Sequence, residues 1–136
     1  YVVTALRQLA AYKGLDVALS SPTWTLARQK HMLVVFANAA YFGGAFEIAP
    51  GASATDGLLD AIAITDMKPL RRLRLLAAAV RGKHERFAEC IRETAPEFTA
   101  SFDSPPAYEA DGELHHAQGS EVRLVSCPSA LKVVMA

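Results

Sequence analysis

Met32-Leu33-Val34-Val35-Phe36-Ala37 is the stretch on which the predicted fold depends, because it is apolar at odd and even positions alike and rich in β-branched residues. Such a run is typical of a strand that is covered on both faces. We therefore expect it to lie in the centre of a sheet.

Shorter strand-like segments lie on both sides of this run. Before it, Leu15-Asp16-Val17-Ala18-Leu19-Ser20 alternates apolar and polar side chains as a half-buried strand does, and Trp24 and Leu26 indicate a second short strand. The later segments of strand-like composition are Phe46–Pro50, Leu58–Ile64, Phe98–Phe102, Glu121–Val125 and Leu131–Val134. Ser-Pro, Asp-Gly and Pro-Pro pairs between them predict turns. The stretch from Glu85 to Glu97 is mixed and predicts no single element.

Two segments have helical periodicity. The first is Val2–Tyr12, which ends before Gly14, and the second runs from Met67 to Arg81, with Asp66 as its N-cap and Gly82 past its end. The apolar stripe of the second helix consists of Leu70, Leu73, Leu76, Ala77 and Val80. Its basic residues are Arg71, Arg72, Arg74 and Arg81, followed by Lys83 and His84. These cations form either a solvated face or a surface attracted to anionic lipid headgroups.

The number and order of these elements predict the fold class. Roughly eight or nine short strands with turns between them, and two helices, favour a mainly β fold: a two-sheet antiparallel β-sandwich with one or two peripheral α-helices. The length of 136 residues and the apolar fraction of 51% suit one domain with one core.

Composition limits the partners and the compartment. Fourteen basic residues balance fourteen acidic ones, so we expect no nucleic-acid partner. Cys90 and Cys127 form no disulfide framework, which favours a reduced intracellular context, and no apolar run is long enough for a membrane span. There is no signal-peptide pattern, and Tyr1 opens directly into a periodic apolar segment, so we expect the chain to begin inside a longer protein.

The acidic stretch Tyr108-Glu109-Ala110-Asp111-Gly112-Glu113 is the first candidate for chemistry. Asp-Gly is a hairpin-turn signal, since both residues tolerate positive φ. Asp111 and Glu113 flank the glycine at strand-like spacing, which predicts that they point to the same side, where two acids can divide the roles of base and cation ligand. The turn alone is the competing interpretation.

Two further sites are predicted from local chemistry. Asn38 follows the buried strand and precedes Gly43-Gly44, so it is either a functional amide at a strand end or a residue bonded to its own bend. Asp56 either closes an Asx turn or, with nearby carbonyls, binds a divalent cation. His115 and His116 are interpreted as polar residues beside a turn rather than a zinc site. The chain has no GxGxxG, P-loop or Gly-x-Ser-x-Gly pattern.

Taken in order, several of these motifs resemble one family. They are Asn38-Ala39-Ala40-Tyr41-Phe42-Gly43-Gly44, Ile48-Ala49-Pro50, Asp56-Gly57-Leu58-Leu59-Asp60, the Leu/Arg helix with Arg81-Gly82-Lys83-His84, and Ala110-Asp111-Gly112-Glu113. The chain resembles the C-terminal domain of diacylglycerol kinase-type lipid kinases, the bacterial relatives of sphingosine kinases. The resemblance covers nearly the whole chain. It implies that residues 1–136 are a C-terminal β-sandwich domain whose N-terminal nucleotide-binding domain, with its Gly-Gly-Asp-Gly-Thr loop, is absent from this chain.

The resemblance also implies roles for individual residues. Asp111 matches the general base that accepts the proton of a lipid hydroxyl as it attacks the γ-phosphate of ATP, and Glu113 matches its acidic partner near the phosphates and their Mg²⁺. The resemblance also implies that Asn38 and Glu113 bind the cofactor. Asp56, with the carbonyls of Ser53 and Leu58, matches a structural magnesium site. Thr55 stands where many relatives have a second Asp, which weakens that site.

The function predicted on this basis is part of an ATP-dependent lipid kinase acting on a lipid alcohol such as diacylglycerol, inactive as this fragment alone. The alternatives are a non-catalytic β-sandwich that binds lipid or protein, and an NAD kinase-like domain. The partners expected are the lipid substrate, a membrane surface, the missing nucleotide-binding domain and, because sandwich edges must be covered, a homodimer. The expected location is cytoplasmic, peripheral at the inner face of the membrane.

Overall fold

Antiparallel strands dominate the fold. The computed structural model describes residues 11–42 and 46–130. Within these residues the strands are β1 (Leu15–Ser20), β2 (Thr25–Ala37), β3 (Tyr41–Phe42), β4 (Phe46–Glu47), β5 (Leu59–Thr65), β6 (Cys90–Ala95), β7 (Glu97–Phe102), β8 (Ala107–Ala110), β9 (Glu113–His116) and β10 (Glu121–Val125). One α-helix, α1 (Pro69–Ala79), and a 3₁₀ turn at His84–Arg86 complete them. The mainly β prediction is confirmed, while the predicted helix at Val2–Tyr12 and the last predicted strand lie outside the described residues, apart from Ala11 and Tyr12.

A six-stranded sheet has the order β10-β7-β1-β2-β5-β6, and two hairpins, β3-β4 and β8-β9, form separate two-stranded sheets. All neighbours are antiparallel. The strand β2 is central, as expected, because its first half pairs with β1 and its second half with β5. The prediction of a separate short strand at Trp24 and Leu26 is wrong: Thr25–Ala37 is one strand. Its polar middle stays extended because β1 pairs with its backbone, for example Asp16 opposite Lys30.

The sheet curls so that its two halves face each other. Phe98 of β7 packs with Ala61 of β5 and Ala95 of β6, although β1 and β2 lie between β7 and β5 in the sheet order. The rings of Phe36 and Phe98 are 5.5 Å apart between centroids. Residues three strands apart can share one core only if the sheet coils around it. The predicted sandwich is therefore confirmed, with its two layers built largely from one coiled sheet.

The helix α1 covers the outer side of β5. Ile62 and Ile64 of β5 cluster with Leu75 of α1, whereas Ala61 and Ala63 point into the coiled core. This alternation follows from the two-residue period of a strand. Ile48 and Ala49 join the cluster under α1 from a non-strand segment, so the predicted strand Phe46–Pro50 is in fact only Phe46–Glu47.

The helix starts and faces differently from its prediction. Lys68, not Asp66, is the N-cap, and no side chain caps the helix, while Asp66 Oδ1 accepts a hydrogen bond from the Met67 N–H at 2.8 Å. The helix ends at Ala79, two residues before the predicted end at Arg81, and Gly82, at φ 61°, lies past its end as predicted. The buried residues of α1 are Arg72, Leu75 and Ala79. The predicted apolar stripe is exposed: Leu70 by 67%, Leu73 by 38%, Leu76 by 43% and Val80 by 56%.

Arg72 explains this rotation of the helix. Its Nε donates to the Met67 carbonyl at 2.9 Å and its Nη2 to Asp66 Oδ1 at 2.5 Å. These bonds hold a 4%-exposed guanidinium against the segment that leads into the helix. A buried charge needs such partners, so this face of α1 points inward and the leucines point outward.

Candidate active site

The acidic stretch forms the tip of a two-residue hairpin. Ala110 of β8 pairs with Glu113 of β9, and the two residues between them have positive φ, 51° at Asp111 and 91° at Gly112. This is the geometry that an Asp-Gly pair favours. The Gly112 N–H donates to Glu109 Oε1 at 2.7 Å and so ties the turn to the strand before it. The predicted hairpin is confirmed.

The argument that placed both acids on one side does not hold. It required Asp111 to be extended, but a residue at φ 51° is in the left-handed region, so the two-residue alternation of a strand does not apply to it. Both acids are exposed, the Glu113 side chain by 82%. Within the described ranges, neither carboxylate pairs with a lysine or an arginine. Both are therefore available to a substrate, a cation or a second protein surface.

Aromatic and imidazole side chains flank these acids. The rings of Tyr108 and His115 stack across the hairpin with centroids 5.4 Å apart, and His115 Nε2 lies 4.0 Å from Glu113 Oε2. Residues 11–42 and 46–130 contain no group of three or more His, Cys, Asp or Glu side chains placed to hold a metal ion. The hairpin therefore places His115 beside Glu113.

Asn38 and the Asp56 loop lie together at one end of the sheet. Asn38 follows Ala37, the last residue of β2, and Ala37 pairs with Asp60 at the start of β5. The loop before β5 is therefore the neighbour of Asn38. Asn38 is exposed, and its amide makes no side-chain hydrogen bond to another residue of the described part of the chain.

The Asp56 carboxylate closes a turn. Its Oδ1 accepts the Leu58 N–H at 2.9 Å, and Gly57 has φ 75°. The Ser53 hydroxyl lies 3.1 Å from the Thr55 hydroxyl. One carboxylate oxygen of Asp56 is therefore engaged in an Asx turn, one of the two interpretations of this residue. The magnesium site formed by Asp56 with the carbonyls of Ser53 and Leu58 stays a prediction.

Sequence reasoning missed a buried ion pair at the same sheet end. Asp60 is 2% exposed, and its Oδ1 accepts bonds from Arg92 Nη2 at 2.6 Å, Arg92 Nε at 2.9 Å and Thr94 Oγ1 at 2.9 Å. Arg92 also donates to the Pro50 carbonyl at 2.5 Å and to Glu85 Oε1 at 3.0 Å. Burial lowers and the bond to Asp60 raises the pKa of the Arg92 guanidinium, and the net direction is upward. The single acid in the apolar run Leu58–Ile64 was the available signal.

The acidic hairpin follows the end of β7 that lies opposite to this sheet end. A Cβ added to Gly57 would lie 3.1 Å from Pro128, which follows β10, and the end of β10 pairs with Glu97 at the start of β7. The hairpin follows the other end of β7, at Phe102, roughly 17 Å away along a six-residue strand. Among the described residues no hydrogen bond or ion pair joins Asp111 or Glu113 to Asn38 or Asp56. The predicted site residues thus form two groups along the chain, with no described bond between them.

Comparison with known proteins assigns the chain to one family. The model of the YegS C-terminal NAD kinase β-sandwich-like domain matches residues 1–135. The chain belongs to this family. The resemblance inferred from the ordered motifs is thereby confirmed, as is the β-sandwich class of the domain. No curated protein matches the chain.

Three solved structures from Bacillus anthracis strain Sterne share the fold of this YegS-type domain. A proposed diacylglycerol kinase has a TM-score of 0.67 and 14% identity over 96% of this chain and 47% of its own. A second has a TM-score of 0.65 and 17% identity over 89% and 41%. A diacylglycerol kinase has a TM-score of 0.60 and 15% identity over 94% and 48%. The chain thus spans about half the length of the structures that it matches.

Proposed function

We propose that this chain is the C-terminal part of an ATP-dependent lipid kinase that phosphorylates a lipid hydroxyl such as that of diacylglycerol. Family membership and the names of the solved relatives support the reaction class. The observation that carries the proposal is the pair of exposed acids at the Asp111-Gly112 turn, neither of which pairs with a lysine or arginine of the described residues. Exposure allows a base to reach its substrate, and the place of these acids in Ala110-Asp111-Gly112-Glu113 is what the family resemblance assigns to the base and its partner.

In this proposal Asp111 accepts the proton of the attacking hydroxyl. The lipid oxygen forms a bond to the γ-phosphorus, the bond from that phosphorus to the bridging oxygen breaks, and ADP leaves. Glu113 lies two residues away on β9 and would face the phosphates, with His115 4.0 Å behind it. Asn38, exposed at the end of β2, is proposed to contact the nucleotide from the other group of residues.

ATP and Mg²⁺ are the proposed co-substrate and cofactor. Magnesium bound with ATP would supply charge neutralisation at the phosphates. The described residues contribute at most one or two carboxylates to such an ion, so we propose that the nucleotide and its metal are held mainly by the half of the protein outside this chain. Omitting Mg²⁺ from the assay below tests this requirement.

The full-length protein tests the role of Asp111. Transfer of labelled phosphate from ATP to dispersed diacylglycerol is measured for the wild type, Asp111→Asn and Glu113→Gln. We expect Asp111→Asn to lower the rate at least ~100-fold, as is usual for a positioned base. Asn suits positive φ as well as Asp does, so the hairpin keeps its fold.

Glu121→Gln is the matched control, since Glu121 is an exposed acid on β10, outside the β8-β9 hairpin. We expect wild-type activity from it. An Asp111→Asn rate within a few-fold of the wild type would remove Asp111 from the chemistry. Phosphorylation of NAD⁺ but not of the lipid in the same assay would mean that the acceptor is a soluble nucleotide.

A further inference from the structure

The outward side of α1 is an apolar surface with no described partner. We call Leu70, Leu73, Leu76, Val80, Arg74 and Arg81 the α1 outer face. Its four large apolar side chains are between 38% and 67% exposed, while the inward side of the helix uses Arg72, Leu75 and Ala79. Single exposed leucines are ordinary, but four on one helical face mark an interaction surface.

Positive charge is concentrated around this surface. The segment Lys68–Lys83 holds six basic residues and no acidic one, in a chain whose formal net charge is zero. Arg71 bonds to Glu89 and Arg72 to Asp66. The other four, Lys68, Arg74, Arg81 and Lys83, have no ion pair among the residues that the structure describes. Four cations without a described ion pair therefore lie in the same segment as the exposed leucines, and Glu47, whose carboxylate lies beside Gly82, is a nearby acid.

Helix geometry separates the apolar and basic residues into adjoining sectors. At about 100° per residue, Leu76, Val80, Leu73 and Leu70 follow one another around the axis within about 120°, and Arg81 and Arg74 come next. An apolar sector bordered by arginines is the pattern of a helix that lies in a membrane interface, with its leucines in the acyl region and its cations at the headgroups.

A cleft beside the N-terminal half of α1 adds to this pattern. It has a volume of about 430 Å³. Its lining consists of the basic residues Lys68, Arg71 and Arg74, the apolar residues Met67 and Leu70, and the acids Asp66 and Glu89, which pair with Arg72 and Arg71. Glu89 already holds Arg71, so Lys68 and Arg74 are the cations available to a phosphate there. A lipid presents an anionic headgroup and apolar chains together, which matches this lining.

We propose that the α1 outer face docks on the surface of a membrane that contains anionic phospholipids. Charge decides the occupant, because two copies packed through this face would bring the same cations together. The inference rests on the proposed function in one respect: a kinase that acts on a lipid has a reason to meet a lipid surface. Binding to vesicles is measured without catalysis, so the two proposals can fail separately.

Flotation of the full-length protein with vesicles tests the apolar half of the surface. The vesicles are phosphatidylcholine alone or mixed with phosphatidylglycerol. We expect binding to the mixed vesicles, weakened at least ~10-fold by the double substitution Leu70→Gln/Val80→Gln. Val125→Gln is the matched control, because Val125 is 51% exposed on β10 and Val80 56% exposed on the helix segment. It should bind as the wild type does.

The basic half is tested with Arg74→Gln and Arg81→Gln. Each cation lost at an anionic surface should weaken binding about fivefold, and added salt should weaken the wild type in the same direction. Arg28→Gln, which removes an exposed arginine from β2, should have no such effect. Thermal unfolding of every variant checks that the fold is kept.

Vesicle binding that is unchanged in both sets of variants overturns the proposal. So does a change in sedimentation coefficient caused by Leu70→Gln/Val80→Gln without lipid, since the face would then contact a second copy or the rest of the protein. Phosphorylation of a short-chain, water-soluble diacylglycerol should be unaffected by the α1 variants. If the wild type has no kinase activity but binds anionic vesicles through α1, the proposed function fails and this inference stands.

Discussion

Asp60 is a carboxylate buried among apolar β5 residues, and it is stable there only because Arg92 and Thr94 bond to it from β6. Arg92 also reaches the Pro50 carbonyl and Glu85, so one guanidinium connects two loops to the sheet end beside Asn38. Removing one member of a buried pair leaves an unpaired charge, which costs far more than the pair contributes. Asp60 and Arg92 are thus positioning residues for the loop that precedes β5.

The first prediction concerns this pair. We expect Arg92→Ala to lower the free energy of unfolding by about 3–5 kcal/mol, because Asp60 would stay buried without its cation. Arg28→Ala, which breaks the exposed pair with Asp103, should cost about 0–1 kcal/mol. Urea denaturation measures both.

The Arg92→Ala/Asp60→Ala double variant completes a double-mutant cycle. The cycle should give a coupling free energy between Asp60 and Arg92 of the size found for residues in direct contact. Additive effects of the two substitutions would contradict the proposed pairing.

The second prediction concerns thiol reactivity. Burial, followed by the nearby Glu85, raises the pKa of the Cys90 thiol to about 11. Because only the thiolate reacts, alkylation of Cys90 should be slow at neutral pH and should rise about tenfold per pH unit until about pH 11. Mass spectrometry after iodoacetamide treatment should find Cys127, which is exposed, modified first. Equal rates for the two cysteines at pH 7 would contradict the burial of Cys90.

At the scale of elements, the hairpin and the helix differ in what decides their structure. The turn at Asp111-Gly112 needs two positive φ values, which those two residue types supply locally. The orientation of α1 depends instead on Arg72 and Asp66, and on the contact of Leu75 with β5. A local turn can therefore be predicted from a dipeptide, whereas the buried side of a helix with mixed residues cannot.

The third prediction tests the turn. Gly112→Ala should cost about 1 kcal/mol, because an L side chain is strained at φ 91°. A Cβ there meets nothing within 4 Å, so the cost is one of backbone conformation alone. Hydrogen exchange of the β8 and β9 amides is the measurement, since the hairpin pairs only with itself among the described strands.

Gly119→Ala is the control for this substitution. It also places a Cβ in open space, but Gly119 does not have positive φ. It should leave the hydrogen-exchange rates of the β8 and β9 amides unchanged. Equal exchange rates in the Gly112→Ala and Gly119→Ala variants would contradict a strained turn at Gly112.

At the scale of the whole molecule, the coiled sheet depends on contacts between strands that are not neighbours. Phe98 joins β7 to β5 and β6 and touches the ring of Phe36 from β2. This cluster holds the two halves of the sheet together.

The fourth prediction tests this closure. Phe98→Ala should lower the free energy of unfolding by about 3–5 kcal/mol, because it opens a cavity where the two halves of the sheet meet. Phe42→Ala removes the same side chain from β3, where Phe42 is 50% exposed, and should cost under about 1 kcal/mol. If urea denaturation gave similar losses of unfolding free energy for the two variants, Phe98 would not join the two halves of the sheet.

The sequence by itself determined the local features of this protein. The bounds of β1, the central place of β2, the Asp-Gly turn and the place of Gly82 past the helix end were all predictable, because alternation, apolar runs and turn residues act within a few positions. The ordered motifs also identified the family.

Only the tertiary structure decided how these elements combine. It placed Leu26 in a thirteen-residue strand that begins at Thr25, buried Arg72 in place of the leucines of α1 and paired Asp60 with Arg92. Each of these outcomes depends on a partner that is distant along the chain or on competition between alternative packings. The free energy of such contacts comes from the shared burial of residues from different segments, which a local pattern does not encode.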